Sequence, residues 1–215
     1  MRTISIYALG LASLCLGACD WAGIRGNGHI VTVQPKIESF SEIHTKGGFK
    51  VEWRSGPASL SITTDENLLP YIESHNSGNR LELRTRDRLR PTEDIKFVVS
   101  SPTLAGAKLS GASTLVAHSI SGSTFFVEST GASEITLDGT VDELLADLTG
   151  ASELKAKGLQ AKVVELSTTG AGEAWVTVTD KLRIAITGAG DVTYSGNPKT
   201  VERHITGAGS VHKKD

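Results

Sequence analysis

Four acidic side chains, Glu134, Glu153, Glu173 and Asp191, each stand three residues after a recurrent glycine. If successive strands stack in parallel, their carboxylates form one column about 5 Å apart, where neighbours repel by about 0.8 kcal/mol in bulk water and more at a protein surface. Such a column could hold hard cations or a basic ligand. It also suits a solvated outer face, with Lys155 easing the repulsion. Trp175 and Tyr194 fall in adjoining repeats, where they could form a platform for a sugar ring or simply cover the sheet. The ladder is evenly repeated and offers no distinct acid and base, so neither a polysaccharide hydrolase nor a lyase is assigned and no catalytic residue is named. His29, His44, His75, His118, His204 and His212 are scattered, without a His-Glu-x-x-His pair, so no metal site is expected. Gly170-Ala171-Gly172 and Gly188-Ala189-Gly190 lack the third glycine of a dinucleotide loop, since Trp175 and Thr193 stand in its place. No cofactor is expected.

The elements that would position these residues are written as a repeat. Ser110-Gly111-Ala112-Ser113 recurs as Thr130-Gly131-Ala132-Ser133 and Thr149-Gly150-Ala151-Ser152. It continues as Thr169-Gly170-Ala171-Gly172, Thr187-Gly188-Ala189-Gly190 and Thr206-Gly207-Ala208-Gly209. The spacing is about nineteen residues. Apolar residues keep fixed offsets: Leu115, Ile135, Leu154, Ala174, Val192 and Val211 follow each glycine by four positions. Phe125, Leu144, Val164, Leu182 and Val201 precede the next glycine by six. A third column, two positions before the glycine, contains Leu109, Leu148, Ile186 and Ile205 but is broken by Ser129 and Thr168. Alternation in short runs means strands with one buried face. A unit this short cannot bury its own face, so the units must stack. The expected fold is all-β, a parallel β-helix or solenoid of about six coils over residues 106–213, with an N-terminal β-rich capping segment. In it the glycines turn the corners with positive φ, the alanines fit inside a tight corner of the core, and the preceding Ser or Thr hydroxyls form a ladder.

Residues 29–105 alternate without the strict repeat. Phe49 to Trp53, Leu60 to Thr63, Arg80 to Arg84 and Ile95 to Val99 read as strands, with turns at 55–57 and 77–79. Asp65 begins one helical turn through Ile72 and is placed to cap its free amides. This segment would close the end of the stack, which otherwise leaves backbone unpaired.

The first residues read as an address. One positive charge precedes an apolar run of about twelve residues, too short to span a bilayer. The run ends in Leu16-Gly17-Ala18-Cys19, which resembles a bacterial lipoprotein signal. The resemblance implies removal of residues 1–18 and acylation of Cys19, leaving residues 19–28 as anchor and tether. No cysteine follows residue 19, so the folded part has neither a disulfide nor thiol chemistry. By the enteric rule, Asp20 implies retention at the inner membrane rather than the outer. The 22 Lys and Arg against 24 Asp and Glu give a formal charge of −2, which disfavours nucleic acid as a partner.

The chain also resembles the head GIN domain family of putative auto-transporter adhesins. The resemblance rests on Thr64-Asp65-Glu66-Asn67-Leu68-Leu69-Pro70, the tandem Thr-Gly-Ala-Gly units and the ending from Tyr194-Ser195-Gly196-Asn197-Pro198 to Ser210-Val211. It covers about residues 26–213. It implies a β-rich solenoid and an adhesin-like role, and it carries no catalytic residue. The expectation is therefore a non-catalytic, lipid-anchored envelope protein that binds a glycan or another envelope protein, or serves as a periplasmic structural or sensing component. End-to-end self-association of the stack is a further possibility of such a fold.

Overall fold

A computed structural model describes residues 23–214. The signal segment, the Cys19 acylation site and the first part of the tether lie outside the described residues. Strand accounts for 71% of the described residues and helix for 3%, arranged as a parallel β-solenoid of about five turns.

The N-terminal part holds β1 Ile24–Arg25, β2 Ile30–Val33, β3 Glu42–Gly47, β4 Lys50–Ser55 and β5 Ser59–Asp65, then a short 3-10 helix Glu66–Tyr71. It continues with β6 Ile72–Ser77, β7 Arg80–Thr85, β8 Leu89–Arg90 and β9 Lys96–Ser101. The repeats supply β10 Gly106–Gly111, β11 Thr114–Gly131, β12 Glu134–Gly150, β13 Glu153–Gly170, β14 Glu173–Gly188, β15 Asp191–Ser195, β16 Thr200–Gly207 and β17 Ser210–Lys213. Each long strand runs through a whole turn. The register shifts after Ala117, Thr136 and Ala156 mark a second bend opposite the glycine corner.

Register confirms the columns read from spacing and lengthens them. Gly111, Gly131, Gly150, Gly170, Gly188 and Gly207 stack along one edge, and these six corners bound five complete turns. The ladder also begins one member earlier, at Gly47, which pairs with Gly111. The inward column Leu115, Ile135, Leu154, Ala174 and Val192 continues toward the N-terminus through Val51 and Phe97. Each large aliphatic in these columns contributes about 1.5–3 kcal/mol by burial. The fully formed core lies between Phe40 and Tyr194, so a chain beginning at residue 20 retains every core residue.

The corner differs from expectation in one respect. The alanines Ala112, Ala132, Ala151, Ala171, Ala189 and Ala208 are exposed, and the residue after each points inward. Ser113, Ser133 and Ser152 are buried there, together with Thr45, Ser129 and Thr168. Ser129 and Ser152 hydrogen-bond at 2.8 Å, and Ser113 donates to the Gly47 carbonyl at 3.0 Å. The two breaks in the apolar column are thus buried hydroxyls: Ser129 bonds to Ser152, whereas Thr168 Oγ1 has no hydrogen-bond partner among the described residues. The change from Ser to Gly at 172 has a local cause: a Cβ there would stand 2.9 Å from Thr168 Oγ1.

The two ends differ. At the N-terminal end, parallel pairing stops at antiparallel strands: β6 on β7, and β5 on β9 with β2 beyond it. The capping role expected for residues 29–105 follows from this pairing. Asp65, however, makes no side-chain cap bond to the 3-10 helix. Its carboxylate turns instead to the backbone amides of Gly28 and Thr92 and the Thr92 hydroxyl. At the other end β16 pairs only with β14, and β17 only with β15. Ile205, an inward position, is 41% exposed there. Arg203 stands in the inward column directly after Ile184. Its guanidinium lies 5.7 Å from the Tyr194 ring centroid and donates to the Tyr194 hydroxyl at 3.1 Å. An inward charge at a sheet edge opposes the addition of another strand. Arg203→Leu is therefore expected to promote self-association, seen as a sedimentation coefficient that rises with concentration. A coefficient as independent of concentration as that of the parent chain would refute this role.

Candidate functional site

The acidic column forms as its spacing requires. Glu134, Glu153, Glu173 and Asp191 are register partners in successive turns, followed by Ser210. Toward the N-terminus the same column passes through Thr114 to Lys50 and Lys96, so its charge changes sign along the stack. The carboxylates do not converge: among the described residues no three His, Cys, Asp or Glu side chains gather where they could hold a metal ion. Lys155 lies beside them, 2.6 Å from Glu134 and 3.1 Å from Glu153, and these carboxylates hold its ammonium above its ordinary range. Asp191 accepts a hydrogen bond from the Ser210 hydroxyl.

Trp175 sits in the neighbouring outward column, between Lys155 and Thr193. It is half-buried, and the Lys157 ammonium lies 6.0 Å from its ring centroid. Tyr194 does not join it. Its register partner is Val176, which gives it inward parity; it is 5% exposed and packed beneath Arg203. Two aromatics in consecutive turns share a face only when their offsets from the corner have the same parity, and these differ by one position.

Around Trp175 the structure gathers a groove of about 530 Å³, lined by Thr136, Asp138, Glu153, Lys155, Lys157 and Trp175. At one rim Asp138 accepts from His118 Nδ1 and, at 2.7 Å, from the backbone amide of Ser119. Burial alone would raise the Asp138 pKa, but these hydrogen bonds outweigh it and hold the group below its usual range. Ser119 has φ 59°, the one non-glycine residue at positive φ among the described residues. The groove therefore offers an aromatic wall, two ammonium groups and two carboxylates on a backbone fixed by the turns on either side.

Sequence reasoning found Trp175, Lys155 and Glu153 but not Asp138, His118 or Lys157. These stand at the second bend, where the register shifts and counting from the corner glycine fails. Gly139 and Gly158, next to Asp138 and Lys157, mark that bend in the sequence. On the adjoining side of the stack, Phe126 and Leu145 line a shallower trough of about 400 Å³, with Glu165 and Arg183 at its border.

A family model described as "Putative auto-transporter adhesin, head GIN domain" matches residues 39–198. No curated protein matches the chain. A solved structure described as a putative adhesin from Bacteroides fragilis is similar with a TM-score of 0.72 at 21% identity, over 89% of this chain and 100% of that one. One described as a putative lipid binding protein from Parabacteroides distasonis gives a TM-score of 0.53 at 24% identity, over 90% and 100%. Another, described as a putative adhesin from Parabacteroides merdae, gives 0.53 at 20%, over 90% and 99%. These likenesses support the fold.

Proposed function

Because the chain belongs to the head GIN domain family of putative auto-transporter adhesins, we propose that it is a non-catalytic, adhesin-like binding module of the cell envelope, anchored through acylated Cys19. The groove at Trp175 carries this reading. A sugar ring can lay its C–H face on the indole while Lys155, Lys157, Glu153 and Asp138 meet its hydroxyls. The solenoid fixes these groups in advance, so little ordering opposes binding. Lys157 would move off the ring to admit the ligand, a small rearrangement for an exposed side chain.

The test is binding of envelope polysaccharide to the domain and to Trp175→Ala. Removing an aromatic at the centre of a binding patch is expected to weaken affinity by about thirtyfold, with an unchanged melting temperature. Equal affinity of the two proteins would sink the glycan reading. Polysaccharide turnover that disappears on replacing Glu134, Glu153, Glu173 or Asp191 would instead favour an enzyme.

The second reading is a periplasmic structural or sensing component that recognises another envelope protein. The apolar trough at Phe126 and Leu145, bordered by charge, supports it. Cell fractionation separates the two: an adhesin reaches the outer surface, whereas the Asp20 rule retains a periplasmic component at the inner membrane.

A further inference from the structure

We propose that the arginine-rich end of the cap is a membrane-contact surface that seats the domain on anionic phospholipid headgroups; this rests on the reading that Cys19 is acylated. Residues 80–90 carry five arginines against Glu82 and Asp87. The pairing of β1 with β8 brings the start of the domain to the same place, with Ile24 N donating to the Arg88 carbonyl and Gly26 N to the Arg90 carbonyl, both at 2.9 Å. The Arg90 stem crosses Gly23, where a Cβ would stand 3.0 Å from its Cγ. The tether thus enters the fold beside Arg25, Arg88 and Arg90. Arg84 and Arg86 share one carboxylate, Glu73, at 2.6 and 2.5 Å. Together Arg25, Arg84, Arg86 and Arg88, all exposed, set four positive charges against Glu73 and Asp87, a surplus of two.

The tether converts this surplus into a membrane surface. Cys19 and Gly23 are four residue steps apart, a reach of at most about 14 Å. Acyl chains in the bilayer hold Cys19 at headgroup level, so the entry point of the fold lies within one or two screening lengths of the lipid phosphates, each about 8 Å at physiological salt. In this orientation the capped end faces the bilayer and the last turns point away from it.

The experiment is co-sedimentation of the domain from residue 20 onward with vesicles of phosphatidylcholine alone or mixed with phosphatidylglycerol. At about 0.15 M salt the anionic vesicles should bind more, and about 1 M salt should abolish the difference. Each arginine removed should weaken anionic binding about fivefold, so combining Arg25→Ser, Arg86→Ser and Arg88→Ser should weaken it about a hundredfold. Equal binding to both vesicles, or a folded triple variant that binds as before, would overturn the proposal. If the triple variant does not fold, the salt titration of the unsubstituted domain decides. Detergent-phase partitioning of the full chain and its Cys19→Ser variant tests acylation separately: acylation without a preference for anionic vesicles defeats this proposal alone, and the preference without acylation defeats only the anchor.

Discussion

Gly150→Val should remove a large share of the stability of the solenoid. Gly150 has φ 106°, and its Cβ would fall inside contact distance of the Gly131 carbonyl oxygen. A side chain held in such a backbone region costs about 1–3 kcal/mol. Relieving the collision parts the turns and weakens the bonds from Ala151 N to Gly131 O and from Ala171 N to Gly150 O, now 2.8 and 2.9 Å. Each such bond contributes about 0.5–1.5 kcal/mol net, and stranding its buried groups costs more. The sum, about 3–6 kcal/mol, is a large share of the usual 5–15 kcal/mol of a domain. A melt should show the midpoint lowered by about 10–20 °C and the transition broadened, because turns on either side of the break couple only through it. Gly56→Ala is the control: its φ is not positive, the nearest atom to a Cβ there is Ser100 Cβ at 3.8 Å, and it should melt close to the parent. If Gly150→Val melts with that control, the corner ladder is not what holds the turns in register.

Asp65→Ala should unlock the cap, at about 3 kcal/mol or more. Asp65 is 0% exposed, and its carboxylate accepts from Gly28 N at 2.7 Å, Thr92 N at 2.9 Å and Thr92 Oγ1 at 2.7 Å. Without it these donors lose their acceptor, each at about 1–3 kcal/mol where water cannot replace it. The effect depends on pH in a fixed direction. Burial opposes ionisation, but the hydrogen bonds from Thr92 and Gly28 prevail and place the Asp65 pKa below its ordinary value. The unfolded carboxyl titrates near about 3.9. The stabilisation is therefore fully present above that pH and is lost as pH falls through the lower folded pKa. Melts in acid should bring the parent down toward the variant. A gap between the two that stays constant from neutral pH into strong acid would show that Asp65 acts by shape and not by charge.

The solenoid was legible because a repeat protein is close to one-dimensional: neighbours in space are separated by one period in sequence, so spacing alone gives register. The same spacing contained the corner's true orientation. Carrying the two-residue alternation from Leu148 to Leu154 puts Ala151 outside and Ser152 inside, as observed. Gly47 escaped notice because its neighbours are Lys46 and Gly48 and because residues 48–110 intervene before the next corner. The cap was legible only as strands, since antiparallel partners such as Leu60 and Val99 follow no period. The partners of Asp65 lie 37 and 27 residues away, and no local pattern announces them. In the groove, Trp175 was visible as an outward aromatic, whereas the approach of Asp138 and Lys157 depends on a bend where the count slips.

One closed end and one open end also give the molecule an order of assembly. The chain emerges from synthesis with its N-terminus first, so the antiparallel strands are present before the first regular turn exists. Each later stretch of about nineteen residues then meets a finished edge and needs to close only a short loop to join it. Maturation can run vectorially, like courses of brick laid on a foundation, with the final course left open and an inward arginine, Arg203, at its edge.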